Sequence, residues 1–253
     1  KSAQPITSPN FPGFDLRVPE QVRADVFLQD FQAFERDHNL PALTVMLLPM
    51  DHTQGTSPGF PTPRAMVADN DRAVGRIVDA VSHSSDWAST AIFVTEDDAQ
   101  DGVDHVDGHR SEALVISPYT RRGAVDSTVY STINIVRTIE ALLGLPPMNQ
   151  FDGAAQIMAQ AFAKQADTTP FTSVPNEIAL DEMNAPVASL RGLEKKMALA
   201  SMKMDFSEPD NAPEDLLSRV IWHSVKGPDT PYPANRHDAC EPVLRKAGAG
   251  LLH

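Results

Sequence analysis

Residues 91–119 read AIFVTEDDAQDGVDHVDGHRSEALVISPY, and the fold turns on how this stretch is taken. The apolar run Ala91 to Thr95 predicts a buried strand, and it stops in acid at Glu96, Asp97 and Asp98. A polar loop carrying Asp101, Asp104, His105, Asp107 and His109 follows. A second apolar run, Ala113 to Ile116, ends at Ser117 and Pro118. Carboxylates and imidazoles collected at a strand end are the means by which an α/β protein builds a polar site outside its sheet. Carboxylate oxygen together with imidazole nitrogen is also a metal-binding donor set.

Working outward, Pro19 to Asn39 predicts a helix with Phe27, Phe31 and Phe34 on one stripe. Residues 41–48 (PALTVMLL) predict a fully buried parallel strand that delivers Asp51 and His52 at its end. A helix over 64–81 carries Val74, Ile77, Val78 and Val81. The polar residues Asp69 and Asp71 read as its solvent face. Residues 132–143 predict a helix capped by Ser131 or Thr132 and closed by Gly144 and Pro146. Further helices are predicted over 152–165, 187–200 and 213–225, the last with Leu216, Val220 and Trp222 as its apolar face. The alternation of helix and strand predicts an α/β fold, three layers around a mostly parallel sheet. It divides into an extended arm at 1–18, an α/β core at 19–150, and wrapping helices and tail at 151–253.

The net charge of −13 over 253 residues argues against a nucleic-acid surface. A phosphate-bearing substrate remains compatible if metal ions supply local positive charge. The single cysteine, Cys240, excludes an intrachain disulfide. No stretch is apolar enough to span a bilayer. An EF-hand reading of DDAQDGVDHVDG fails at Ala99 and Gly108, where ligands are required. The bland reading of the acidic loop is a solvated turn, but like charges this close repel unless a cation compensates. His109 shortly precedes the second strand and is the stronger candidate ligand. His105 beside Asp104 suits a ligand, a proton donor or a group that supports a ligand.

The segment RAMVADNDRAVGRIVDAV, followed by Trp87 and STAIFVTEDD, resembles the alkaline-phosphatase superfamily. More narrowly, it is similar to the bacterial phosphoesterase family that includes acid phosphatases and phosphatidylcholine-type phospholipases C. The stretch from LLPMDHTQG through SPYTRRGAV carries the resemblance over about residues 40–150. It implies Asp97, Asp98, His52 and His109 as metal ligands. Asp51 substitutes for the family's aspartate, whose position is Leu48 here. Glu96 and Asp104 would support the ligands, and His105 would act on the phosphate. The implied cofactors are divalent ions, zinc first, with manganese, magnesium or calcium as alternatives. In the complete family site two ions sit about 4 Å apart, and a Ser or Thr nucleophile forms a phospho-intermediate. That nucleophile normally lies in an N-terminal half, and no matching Ser or Thr precedes His52. The expectation is therefore a C-terminal portion of a phosphoesterase, poorly active alone, whose partner is the N-terminal half. The resemblance also implies a periplasmic or secreted bacterial location. The rival expectation is a non-catalytic metal-binding or interaction fragment that associates with a partner chain or with itself.

Overall fold

The computed structural model describes residues 6–97 and 111–233. Helix α1 (Glu20–Asp37) starts after Pro19 and lays Ala24 and Phe31 inward, with Phe27 stacked on Phe31 at 5.7 Å. Helix α2 (Pro63–Ser82) is capped by Thr62, whose side chain accepts from the Ala65 amide at 3.3 Å, with Pro63 at its first position. These two helices pack on each other through Ala24, Phe31, Ala73, Ile77 and Val81, around a buried Trp87. A second, smaller core joins Leu16, Met50 and Met66 to Phe14 and Phe206.

Strands β1 (Ile92–Thr95) and β2 (Ala113–Ile116) are antiparallel, with Ile92 opposite Ile116 and Thr95 opposite Ala113. The expected mostly parallel three-layer sheet is not what the described residues form; they are a mixture of helices with this two-stranded sheet. The physical reason lies between the strands. A parallel pair needs a crossover, usually helical, and residues 96–112 carry no helical apolar stripe.

Residues 41–48 also depart from expectation: among the described residues they join no strand ladder. They still alternate as a strand does. Met46 and Leu48 pack on the main core, while Leu43, Val45 and Leu47 are exposed. An apolar run sets which side faces inward but not which backbone it pairs with.

Helix α3 (Thr132–Leu143) has the expected ends. Ser131 and Asn134 form a capping box, and Gly144 closes the helix at φ 68°. The helix expected over 152–165 shrinks to α4 (Gln150–Ala154) and a 3-10 turn at Ala159–Ala161. Asn149 caps α4 and moves its start forward, and one short turn of helix has little stability of its own. Helix α5 spans Gly192–Ser201 and α6 spans Glu214–Lys226, with Leu217 in place of Leu216 buried beside Val220.

The segment after residue 180 is fastened to the loop that follows His52. Asn184 Nδ2 donates to the carbonyls of Gly55, Ser57 and Pro61 at 3.2, 3.0 and 3.0 Å. Ser201 Oγ accepts from the Thr56 amide at 3.1 Å. Gly55 permits this approach. A Cβ there would lie 2.6 Å from Ser201 Oγ and 3.3 Å from Val220 Cγ1, at φ +55°. Gly55→Ala is expected to cost about 2 kcal/mol from left-handed strain and overpacking. Its urea midpoint should fall accordingly, and a wild-type midpoint would show that α5 can withdraw freely.

Candidate functional site

Asp51 and His52 end a four-residue 3-10 turn, Pro49–His52, that leaves the extended 41–48 segment. Pro49 and Met50 are buried; Asp51 and His52 are half-buried. The His52 ring meets Phe14 edge-on at 5.3 Å between centroids. Burial holds the Asp51 carboxyl above the usual aspartate range. His52 and the amides of Asp51 and His52 offset part of that effect, and the charge of Asp97 adds to it. Asp97 stands exposed just past the end of β1. Asp51, at the end of its 3-10 turn, is sheltered, whereas Asp97, past the end of β1, is open to solvent.

Glu96 is exposed beside Asp97. Its carbonyl accepts from Ser111 Oγ at 2.7 Å, which ties the two strand ends together. Asp98, Asp104, His105 and His109 lie outside the described residues. Among the described residues, no three His, Cys, Asp or Glu side chains are grouped so as to hold a metal ion. By type, Asp51, His52 and Asp97 are donors that a divalent cation takes, two carboxylates and an imidazole, but as placed the three do not form such a group by themselves.

A cavity of about 300 Å³ opens beside His52. Phe14, Leu16, Phe206 and Leu217 give it apolar walls. Asp205, Glu208, Asp210 and Glu214 also line it. A bare phosphate would be repelled by so much negative charge.

Sequence reasoning missed the groups beneath the turn. Glu20 and Arg23 are both fully buried. Glu20 Oε1 accepts from the Met50 amide at 2.7 Å, and the Glu20 amide donates to Asp69 Oδ2 at 2.8 Å. Asp69, expected on the solvent face of α2, is instead 5% exposed and also accepts from Gln21 Nε2 at 2.8 Å. The correction has a plain cause. The first turn of α1 lies across the first half of α2 and turns that face inward. Asn70 Nδ2 donates to the Leu48 carbonyl at 2.6 Å. Glu20 and Arg23, three apart at a helix start, look like an ordinary surface pair. Nothing local in the sequence marks them as buried.

Among the described residues no helix is long and apolar enough to cross a membrane. Searches of curated proteins and of solved structures found no match. A family model described as the Phosphoesterase family matches residues 8–146, more than half of the 253-residue chain. That span contains α1, the Pro49–His52 turn, α2 and both strands, and so every element that positions Asp51, His52 and Asp97. The chain belongs to the Phosphoesterase family, whose members are hydrolases of phosphoric esters.

Proposed function

We propose that this chain is a metal-dependent phosphoric ester hydrolase of the phosphatase or phospholipase C-like type. Asp51, His52, Asp97, Asp98 and His109 would hold the divalent ion, zinc first among the candidates. The observation that carries the reading is Asp51: a sheltered carboxyl beside an imidazole, raised by burial and by the charge of Asp97. A sheltered carboxyl whose ionisation burial disfavours is a candidate for a functional group. A bound cation would relieve that repulsion and polarise the phosphoryl oxygen. His105 would exchange a proton with the ester, while Glu96 and Asp104 would orient the ligands. The cavity beside His52 offers apolar walls to the alcohol part of the ester.

The hydroxyl nucleophile would come from a complementary segment completing a three-layer fold, supplied upstream or as a separate chain. The exposed side chains of Leu43, Val45 and Leu47, on an extended run outside any ladder, support an added strand there. A two-stranded sheet by itself is also marginal. A periplasmic or secreted bacterial location accompanies the same reading.

The test is zinc titration of the purified chain by calorimetry, with hydrolysis of p-nitrophenyl phosphate followed in parallel. Wild type should bind zinc. His52→Ala and Asp97→Asn should each bind it at least about tenfold more weakly. Hydrolysis by the chain alone should be slow. Failure to bind zinc, manganese, magnesium or calcium would remove the metal from the reading. Fast turnover that is abolished by Asp98→Asn would place the nucleophile within these residues.

A further inference from the structure

The turn that carries Asp51 and His52 is too short to fix its own direction. It has four residues, and no side chain caps its start. Short 3-10 pieces have poor hydrogen-bond geometry and depend on their surroundings. Here the surroundings hold it at two points. Glu20 Oε1, from the first turn of α1, accepts from the Met50 amide at 2.7 Å. Asn70 Nδ2, from α2, donates to the Leu48 carbonyl at 2.6 Å. The two anchors are themselves joined, because Asp69, next to Asn70, accepts from the Glu20 amide at 2.8 Å.

The next residue shows that the turn is held against a local preference. Thr53 sits at φ 59° and ψ 176° while only 1% exposed. That backbone region belongs almost entirely to glycine, and a β-branched residue persists there only when its surroundings over-determine it. A fully buried carboxylate at Glu20 is costly as well. An apolar side chain would fill the same space, but it could not accept from Met50. Two locally unfavourable features thus flank this one turn.

We propose that Glu20 and Asn70 are positioning residues, which set the direction in which Asp51 and His52 face the cation site and the cavity. What the turn carries rests on the function proposed above; that the turn is held from α1 and α2 stands on its own.

The Phe14–His52 contact supplies a local reporter. A ring edge-on at 5.3 Å shifts the His52 ring protons away from their free-histidine positions. These signals can be followed by carbon-13 correlated NMR in the full chain, with and without zinc, and compared with far-UV circular dichroism. Glu20→Ala and Asn70→Ala should move the His52 signals toward free-histidine values with the helical signal unchanged. Zinc affinity should fall about tenfold or more in both. Glu20→Gln keeps an acceptor for the Met50 amide, so it should keep the His52 shifts and stay within about threefold of wild-type affinity. A purely structural role for Glu20 would not separate the Gln and Ala variants in this way. Asn70→Ala leaves the buried charges intact, so it decides the matter if Glu20→Ala does not fold. Wild-type His52 shifts in Asn70→Ala would overturn the proposal. If wild type binds no zinc, the metal reading fails, yet the His52 shifts still decide the positioning claim.

Discussion

Arg23→Ala should cost the protein about 3–5 kcal/mol of stability, the penalty for breaking a buried charge network by removing one partner. The guanidinium is fully buried and donates to four backbone carbonyls. Nη1 reaches the Val18 carbonyl at 2.8 Å. Nη2 reaches the carbonyls of Gly13 and Asp15 at 2.7 and 3.0 Å, and Nε reaches that of Pro12 at 3.4 Å. It also faces Glu20 Oε2 at 3.5 Å. Truncation leaves these carbonyls without their donor and the Glu20 carboxyl without its opposing charge, each a separate desolvation cost. The loss also releases residues 12–18, which bring Leu16 into the smaller core and Phe14 against His52. Urea unfolding would show a lower midpoint together with loss of the His52 ring-current shift. Arg23→Lys should recover little, because an ammonium cannot reproduce the planar fork of donors. A loss below about 1 kcal/mol in the alanine variant, no more than an exposed ion pair is worth, would mean that the 12–18 segment holds itself in place without Arg23.

This network marks the limit of what the sequence discloses. Helix α3 is legible because its signals are local: Ser131 or Thr132 at one end, Gly144 and Pro146 at the other, an apolar run between. The α1 and α2 stripes are legible for the same reason, through Phe27 and Phe31 and through Ile77, Val78 and Val81. The acid at Glu96 and Asp97 marks the end of β1 equally well. What fails depends on distant backbone. Residues 41–48 alternate as a strand should, but an alternating run does not name its partner. The order of strands likewise follows from whether a crossover exists, not from the strands' own residues. Glu20, Arg23 and Asp69 are charged residues near helix starts, where charge is ordinary on a solvated face. Their burial arises because carbonyls of residues 12–18 fold over α1 and the first turn of α1 crosses α2. The positions of Asp51 and His52 were readable from their place after an apolar run; the groups that aim them were not.

Glu20 should make the protein less stable as pH rises from about 5 to 7.5, and Glu20→Gln should remove that slope. Burial is the main cause, pushing its carboxyl from an ordinary 4.5 up to about 7; the Asp69 charge adds to it, while the Met50 amide and Arg23 oppose it. Arg23 fails to win because its nitrogens are already committed to carbonyls and its contact with Glu20 is long, at 3.5 Å. Below about 4.5 the group is protonated in both folded and unfolded chains and contributes no slope. Between about 4.5 and 7 the folded chain holds a proton that the unfolded chain has released, so raising pH favours unfolding. Above that window both forms are ionised and the penalty is constant. At 1.36 kcal/mol per unit, the full difference is about 3 kcal/mol. Asp51, also raised, tilts the wild-type curve in the same direction. Asp15 and Glu182 are each held down near 2 by a neighbouring arginine, Arg17 and Arg64 respectively. They stabilise the fold above their ordinary values and lose that contribution only in strong acid. These other groups are common to both proteins, so the difference between wild type and Glu20→Gln isolates the one carboxyl. Urea midpoints at pH 5, 6, 7 and 8 should converge toward acid and separate toward neutral, with the glutamine variant gaining on wild type as pH rises. Parallel curves would mean that Glu20 is ionised throughout and that Arg23, despite its other bonds, compensates its charge in full.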